Sequence, residues 1–157
     1  MWYFAYGSNL NQEDLSRWCR GKSLPPLRLA DKRWERATLR DFELRFDCFS
    51  KSRNCGAANV VPVLGKYVCG VVFDVDQEEF AVVARKEGAP HTYVEQCVEL
   101  SLPEDSRISA ITFRCRPGTE RPQLCPSRAY LDLIREGAIN YGMDAAWIET
   151  LTAITAQ

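Results

Sequence analysis

The first ten residues combine a buried strand, a tight turn and the approach to a helix. Residues 1–6 predict a short buried strand, because five of them are large and apolar or aromatic. The apolar run stops at Gly7-Ser8-Asn9, which predicts a turn. Asn11 then stands at the N-cap of a predicted helix that has Leu15 and Trp18 on its apolar face and ends by Gly21.

The middle of the chain reads as a series of antiparallel strands. Alternating apolar residues over 27–48 predict at least two strands. Residues 57–63 and 68–75 are apolar and rich in β-branched side chains, and the intervening Leu64-Gly65-Lys66 predicts a hairpin turn. Residues 92–100 and 108–115 predict two further strands by the same composition.

Helices are predicted between and after these strands. Asp76 and Glu79 have the spacing of a capping box, and the helix that they start reaches Arg85-Lys86 and stops at Gly88. Ser127 predicts the start of a helix that ends at Gly137, and Asp144 the start of a last helix. The pattern predicts an α+β fold in which helices pack around an antiparallel sheet or a small, mostly antiparallel β-barrel.

Composition indicates an ordinary globular protein. The 157 residues, 46% hydrophobic and 26% charged, contain no Pro/Gly/Ser-rich linker, so we expect a single domain over 1–157. A formal net charge of −1 supplies no field that attracts nucleic acid or an anionic membrane, and neither is expected as a partner. No apolar run is long enough to span a bilayer and no signal segment is seen, so a cytoplasmic location is predicted.

Cysteine and histidine usage argues against a metal site. The seven cysteines form no Cys-x-x-Cys pair, and His91 is the only histidine. We therefore predict mostly reduced, buried thiols and no metal or other cofactor, and we place His91 on the surface.

Two positions carry candidate chemistry. Gly7 lets the backbone approach a bound group closely, and the amides of Ser8, Asn9 and Leu10 precede a helix, where unpaired N–H groups bind anions or carbonyl oxygens. Glu87 lies at the predicted C-terminus of a helix, where a negative charge costs about 0.3–1 kcal/mol. A residue that local rules disfavour is a candidate for function.

The order of these motifs resembles the gamma-glutamylcyclotransferase family, which includes the AIG2-like and gamma-glutamylamine cyclotransferase relatives. The opening Tyr3-Phe4-Ala5-Tyr6-Gly7-Ser8-Asn9-Leu10 is similar to the loop with which that family begins. Three further landmarks follow in order. Residues 37–46 resemble the family's second strand pair, and Gly70-Val71-Val72-Phe73, followed by a helix that ends in Glu87-Gly88, resembles its Gly-Val-Val strand, helix and Glu-Gly pair. Pro126-Ser127-Arg128-Ala129-Tyr130 resembles the start of its closing helix. The likeness spans nearly the whole chain.

The resemblance implies a fold, an activity and a set of site residues. It implies a small β-barrel with flanking helices and a reaction that converts a γ-glutamyl amino acid or γ-glutamyl amine to 5-oxoproline. It makes Glu87 the catalytic base and the small-molecule γ-glutamyl compound the partner. The residues that it assigns to substrate binding are Tyr3, Tyr6, Gly7, Ser8, Asn9, Leu10 and Tyr130.

One departure from the family pattern keeps alternatives open. Family members often carry Leu-Asp where this chain has Val83-Ala84, and the missing acid bears on activity if it orients Glu87. A binding or regulatory protein of the same fold is therefore a second hypothesis, and chemistry on a γ-glutamyl group attached to a carrier is a third. The sequence leaves open the oligomeric state, the leaving group, and whether the loop amides hold an α-carboxylate or an oxyanion.

Overall fold

The computed structural model describes all residues from Met1 to Gln157 as a closed five-stranded barrel with four α-helices around it. The strands are β1 (Trp2–Ala5), β2 (Trp34–Ser50), β3 (Cys55–Asp74), β4 (Tyr93–Ser101) and β5 (Arg107–Cys115). The helices are α1 (Gln12–Gly21), α2 (Gln77–Glu87), α3 (Arg128–Asn140) and α4 (Ala145–Thr152). Short 3-10 segments occur at Ser8–Leu10, Leu29–Asp31 and Pro103–Asp105.

The strand order around the barrel is β1-β3-β2-β4-β5, and β5 returns to β1. All neighbouring pairs are antiparallel apart from β1 and β5, which run parallel where Tyr3 lies opposite Ile111. The predicted α+β class, with a small, mostly antiparallel barrel and flanking helices, is confirmed. The closing contact brings the end of β1 next to β5.

Two predictions about the middle of the chain are wrong. Residues 27–48 contribute one strand, β2, and residues 64–66 form no hairpin. The register between β2 and β3 shifts there instead, from Arg40 opposite Tyr67 to Phe42 opposite Pro62. The chain bulges out and continues in the same direction, because β3 pairs with β2 on both sides of the interruption. A local break in an apolar run cannot distinguish such a bulge from a turn.

The helix starts follow the predicted caps. Asp76 and Glu79 form a capping box, with the Glu79 amide 2.8 Å from Asp76 Oδ1 and the Asp76 amide 3.0 Å from Glu79 Oε2. Gly88 ends α2 in the left-handed region at φ 68°. The side chains of Asn11, Ser127 and Asp144 accept N-cap hydrogen bonds at the starts of α1, α3 and α4.

The predicted stop at Gly137 is wrong, because this glycine serves packing rather than helix termination. Helix α3 continues to Asn140 and is followed by Gly142 at φ 65°. A Cβ added at Gly137 would lie 2.6 Å from Leu10 Cβ and 2.7 Å from the Leu10 carbonyl carbon. The missing side chain thus lets α3 press directly against the segment that follows β1.

A single cluster of 38 buried apolar residues forms the core. All seven cysteines are free thiols; Cys19, Cys48, Cys55 and Cys115 are buried, and Cys97 is exposed. His91 lies on the surface, as predicted. None of the helices combines the length and the apolarity that crossing a membrane requires.

Candidate active site

The segment after β1 presents three backbone N–H groups without an acceptor. The amides of Gly7, Ser8 and Asn9 have no hydrogen-bond partner within the protein. The Leu10 amide donates to the Gly7 carbonyl at 3.1 Å, so the prediction that it is unpaired is wrong. The short 3-10 turn over Ser8–Leu10 closes this bond one residue earlier than an α-helix would. Three successive free N–H groups favour a bound anion or a polarised carbonyl oxygen.

Helix α2 carries Glu87 to the same place. Phe80 and Val83 are buried against the barrel, and the Phe80 ring stacks on Phe113 of β5 with centroids 5.5 Å apart. Positions 80, 83 and 87 are three and four residues apart, so they share one face of the helix. The face that holds α2 on the barrel therefore also turns Glu87 toward the end of β1.

Asn9 joins Glu87 to Tyr3. Its Nδ2 atom donates to Glu87 Oε1 at 2.7 Å and to the Tyr3 hydroxyl oxygen at 2.8 Å. These two bonds use both amide hydrogens of the side chain. The bond to Glu87 holds one oxygen of its carboxylate beside the loop after β1.

A cluster of charged residues lies on the other side of Asn9. Lys86 Nζ donates to Asn9 Oδ1 at 2.7 Å and lies 3.3 Å from Asp14 Oδ2. Arg53 Nη2 donates to the same Asp14 oxygen at 2.8 Å, and its guanidinium lies 4.7 Å from the centroid of the Tyr130 ring. Asp14 thus anchors two cations beside the carboxylate of Glu87.

These elements line a small, partly open space that we call the inner cavity, with a volume of about 30 Å³. Seven of the eight predicted site residues line it, and Leu10 does not: its side chain is buried in the core against Gly137. The seven are Tyr3, Tyr6, Gly7, Ser8, Asn9, Glu87 and Tyr130. A Cβ at Gly7 would point at Ala58 Cβ, 3.4 Å away, and at the Tyr130 hydroxyl, 3.7 Å away, and would reduce the space available to a ligand.

The four tyrosines of the inner cavity divide into two kinds. Tyr6 and Tyr93 donate their hydroxyl protons to the carbonyls of Phe113 and Ala58, at 2.5 and 2.6 Å. Tyr3 and Tyr130 instead accept, from Asn9 Nδ2 and from the Ala58 amide at 3.1 Å. The hydroxyl protons of Tyr3 and Tyr130 therefore remain available to a ligand.

Burial raises the pKa of the titratable side chains that line the inner cavity. Burial raises the pKa of Glu87 above the ordinary 4.5, although Lys86, the hydrogen bond from Asn9 and Arg53 each oppose the rise. Burial likewise raises the pKa of Tyr3, Tyr6 and Tyr130, which are neutral donors or acceptors at neutral pH. Glu87 is consequently a better base than an exposed glutamate.

A wider space, the outer groove, leads away from the inner cavity and shares Ser8, Glu87, Tyr93 and Tyr130 with it. The hairpin turn between β2 and β3 forms one wall, with Lys51 and Arg53 among its residues. Glu87 is the only acidic residue that lines the groove, whereas Lys51, Arg53 and Lys86 are basic. A ligand held in the inner cavity can extend along this basic groove.

Sequence reasoning gave no site role to four residues that lie around Glu87 in the structure. Tyr93 completes the cavity wall, and Asp14, Arg53 and Lys86 form the charged cluster. Lys86 adjoins Glu87 in sequence, but a basic residue in the last turn of a helix is explained by the helix dipole alone. Asp14 is equally ordinary in a first turn, and no sequence spacing relates it to Lys86, 72 positions away. No group of three or more His, Cys, Asp or Glu side chains is placed to bind a metal ion.

Comparison with known proteins places this geometry in a family. The sequence profile of the AIG2-like family matches residues 67–151, more than half of the chain. No curated protein matches the sequence. The matched residues 67–151 include α2 with Glu87 and α3 with Tyr130.

Solved structures share the whole fold. One described as a gamma-glutamyl cyclotransferase is 26% identical, with a TM-score of 0.84 over 99% of this chain and 88% of its own. An uncharacterised protein from Homo sapiens is 27% identical, with a TM-score of 0.82 and the same coverage. A gamma-glutamyl cyclotransferase specific to glutathione, from yeast, covers 96% of this chain and 93% of its own with a TM-score of 0.65, and at 10% identity it shows the fold alone. The barrel is the gamma-glutamyl cyclotransferase-like fold, and the resemblance found in the sequence is confirmed.

Proposed function

The chain belongs to the AIG2-like family, and from this premise we propose that it is a cyclotransferase acting on a γ-glutamyl amino acid or γ-glutamyl amine. The products are 5-oxoproline and the released amino compound. The observation that carries the proposal is the facing arrangement of one carboxylate, Glu87, and several free donors across the inner cavity. The ammonium, carboxylate and amide carbonyl of a γ-glutamyl group complement such an arrangement.

Glu87 is the general base in this proposal. The α-ammonium of the substrate is not nucleophilic until it loses a proton, and a carboxylate whose pKa is raised accepts that proton more readily than an ordinary one. The freed amine attacks the γ-carbonyl carbon of the same molecule, forming the bond that closes the five-membered ring. The ring nitrogen gives up a second proton as it becomes the lactam N–H. Glu87 transfers both protons in turn to the leaving nitrogen, which departs as an ammonium when the original amide bond breaks. No water is consumed, and the atoms balance between one substrate and two products.

The loop after β1 and the tyrosines bind and fold the substrate. The amides of Gly7, Ser8 and Asn9 stabilise an anion, which is either the substrate α-carboxylate or the oxyanion that develops on the γ-carbonyl. Tyr3 and Tyr130 add hydroxyl donors to the same space. Holding the amine close to the carbonyl contributes up to about 7–11 kcal/mol in the best-oriented systems.

The product assay tests this function. Purified protein incubated with γ-glutamyl-alanine or γ-glutamyl-lysine is expected to form 5-oxoproline and the free amino acid in equal amounts, without glutamate. N-acetyl-γ-glutamyl-alanine, whose α-nitrogen is blocked, is the matched control and is expected to be inert. Release of glutamate would indicate hydrolysis, and absence of product from a wide panel of γ-glutamyl compounds would contradict the proposal.

A further inference from the structure

Lys86 is a buried lysine whose three protons each face an oxygen atom. Its side chain is 7% exposed. Its Nζ lies 2.7 Å from Asn9 Oδ1, 3.3 Å from Asp14 Oδ2 and 3.4 Å from Ser8 Oγ. Lysines are rarely buried unless they are paired, and here the carboxylates of Glu87 and of Asp14, itself only 10% exposed, favour the charged form of Lys86.

The contact with Lys86 decides which way the Asn9 amide faces. An ammonium only donates, so it requires the oxygen of the amide on its own side. The NH₂ group is then directed at Glu87 and at Tyr3. A rotated amide would set its oxygen against the carboxylate of Glu87 and its NH₂ group against the ammonium, which makes both contacts repulsive.

The charge of Lys86 acts on Glu87 as well. Two cations, Lys86 and Arg53, favour the ionised carboxylate and oppose the effect of burial. The remaining titratable groups that face the carboxylate are the hydroxyls of Tyr3, Tyr6, Tyr93 and Tyr130, which are neutral at neutral pH. Burial lowers the pKa of Lys86, while Glu87 and Asp14 counteract that change.

We infer that Lys86, anchored by Asp14, is a positioning residue that fixes the Asn9 amide as a hydrogen-bond donor to Glu87 and adds a positive charge near the Glu87 carboxylate. Its importance for turnover rests on the proposed function, in which Glu87 is the base. The hydrogen-bond chain itself runs from Asp14 on α1 through Lys86 on α2 to Asn9 in the segment after β1. Asp14 and Lys86 thus couple the helix that carries the base to the loop that binds the substrate.

The test compares Lys86→Met with Lys86→Arg and with Lys66→Met, an exposed lysine in the bulge of β3. For Lys86→Met we expect kcat/KM for γ-glutamyl-alanine to fall roughly tenfold at neutral pH, and the acidic limb of its pH profile to move up by about one pH unit, the effect of losing one nearby opposite charge. Lys86→Arg is expected to restore most of both quantities, and Lys66→Met to leave them unchanged. If Lys86→Met does not fold, Lys86→Gln, which lacks the charge, carries the same expectation for the acidic limb. An unmoved acidic limb in the folded variant would overturn the inference, whatever the size of the activity loss.

A second readout separates this inference from the proposed function. The pKa of the Glu87 side chain, followed by NMR of the labelled carboxyl carbon without substrate, is expected to rise in Lys86→Met by the same amount. If the wild-type protein is inactive but the pKa of Glu87 rises in Lys86→Met, the cyclotransferase proposal is contradicted and the role of Lys86 is supported. If the wild-type protein is active but Glu87 has the same pKa in the wild type and in Lys86→Met, the cyclotransferase proposal is supported and the role of Lys86 is contradicted.

Discussion

Asn9 donates a 2.7 Å hydrogen bond to Glu87, 78 positions further along the chain. The bond joins the turn after the first strand to the last residue of α2, and it faces the inner cavity. The carboxylate that we propose as the base and the free amides of the loop after β1 are therefore held together by the protein itself. Such preorganisation is what general base catalysis and oxyanion stabilisation require of a site.

The raised pKa of Glu87 predicts the shape of the acidic limb of activity. Only the ionised carboxylate accepts a proton, so kcat/KM is expected to fall as the pH drops through the pKa of Glu87. Burial places that pKa above 4.5, and the midpoint should follow it. A kcat/KM profile for γ-glutamyl-alanine between pH 4 and 8 measures this limb, and full activity down to pH 4.5 would contradict the assignment.

The same pKa predicts that Glu87→Gln stabilises the fold. A carboxyl group whose pKa is higher in the folded than in the unfolded state favours folding in its protonated form, so its ionised form costs stability at higher pH. The neutral glutamine removes that cost. We expect the midpoint of thermal unfolding to rise at pH 8 and the gain to disappear toward pH 4. Glu95→Gln, at an exposed position of β4, should show no such gain at either pH.

Because Gly137 contacts Leu10, we predict that one methyl group added at Gly137 disturbs the candidate site through the packing of α3 against the loop after β1. In Gly137→Ala the new Cβ would overlap Leu10, which adjoins Asn9, so we expect a loss of about 1–3 kcal/mol in unfolding free energy together with reduced turnover. Gly21→Ala is the matched control, because no atom lies within 4 Å of a Cβ at that helical position. It should be neutral or stabilising by up to about 1 kcal/mol. Equal stability of the two variants in denaturant unfolding would contradict this account of α3 packing.

The basic outer groove predicts a preference among leaving groups. γ-Glutamyl-alanine and γ-glutamyl-ethylamine differ only in a carboxylate on the leaving group. In our proposal this carboxylate lies in the outer groove, which Lys51, Arg53 and Lys86 line. We expect a kcat/KM about fivefold higher for the alanine compound, in keeping with roughly 1 kcal/mol for a partly exposed ion pair. Lys51→Gln should reduce this ratio and Lys66→Gln should not. Equal kcat/KM values for both substrates in the wild type would show that the groove does not favour a negatively charged leaving group.

Local rules predicted most of the elements that carry the site. The caps at Asn11, Asp76 and Ser127 follow from contacts between residues three positions apart, which a sequence displays directly. Glu87 was identifiable because an acid at a helix C-terminus is locally unfavourable, and the structure places it beside Asn9.

The errors arose where pairing over long distances decides the structure. Residues 63–66 bulge because β2 pairs with β3 on both sides of them, and Gly137 is small because of Leu10, more than a hundred positions earlier. The charged cluster was hidden for the same reason. Asp14 and Lys86 each satisfy a helix dipole, and only the fold, which brings Lys86 Nζ within 3.3 Å of Asp14 Oδ2, reveals their second role.

The central claim is that Glu87 is the base of a cyclotransferase, and the turnover of Glu87→Gln tests it most directly. Formation of 5-oxoproline from γ-glutamyl-alanine is expected to fall by about 10²- to 10⁴-fold in this variant, while Glu95→Gln keeps wild-type turnover and 5-oxoproline still binds to Glu87→Gln. If the protein only binds γ-glutamyl compounds, the wild type and both variants would bind ligand and none of them would form 5-oxoproline. Wild-type turnover in Glu87→Gln would contradict the account.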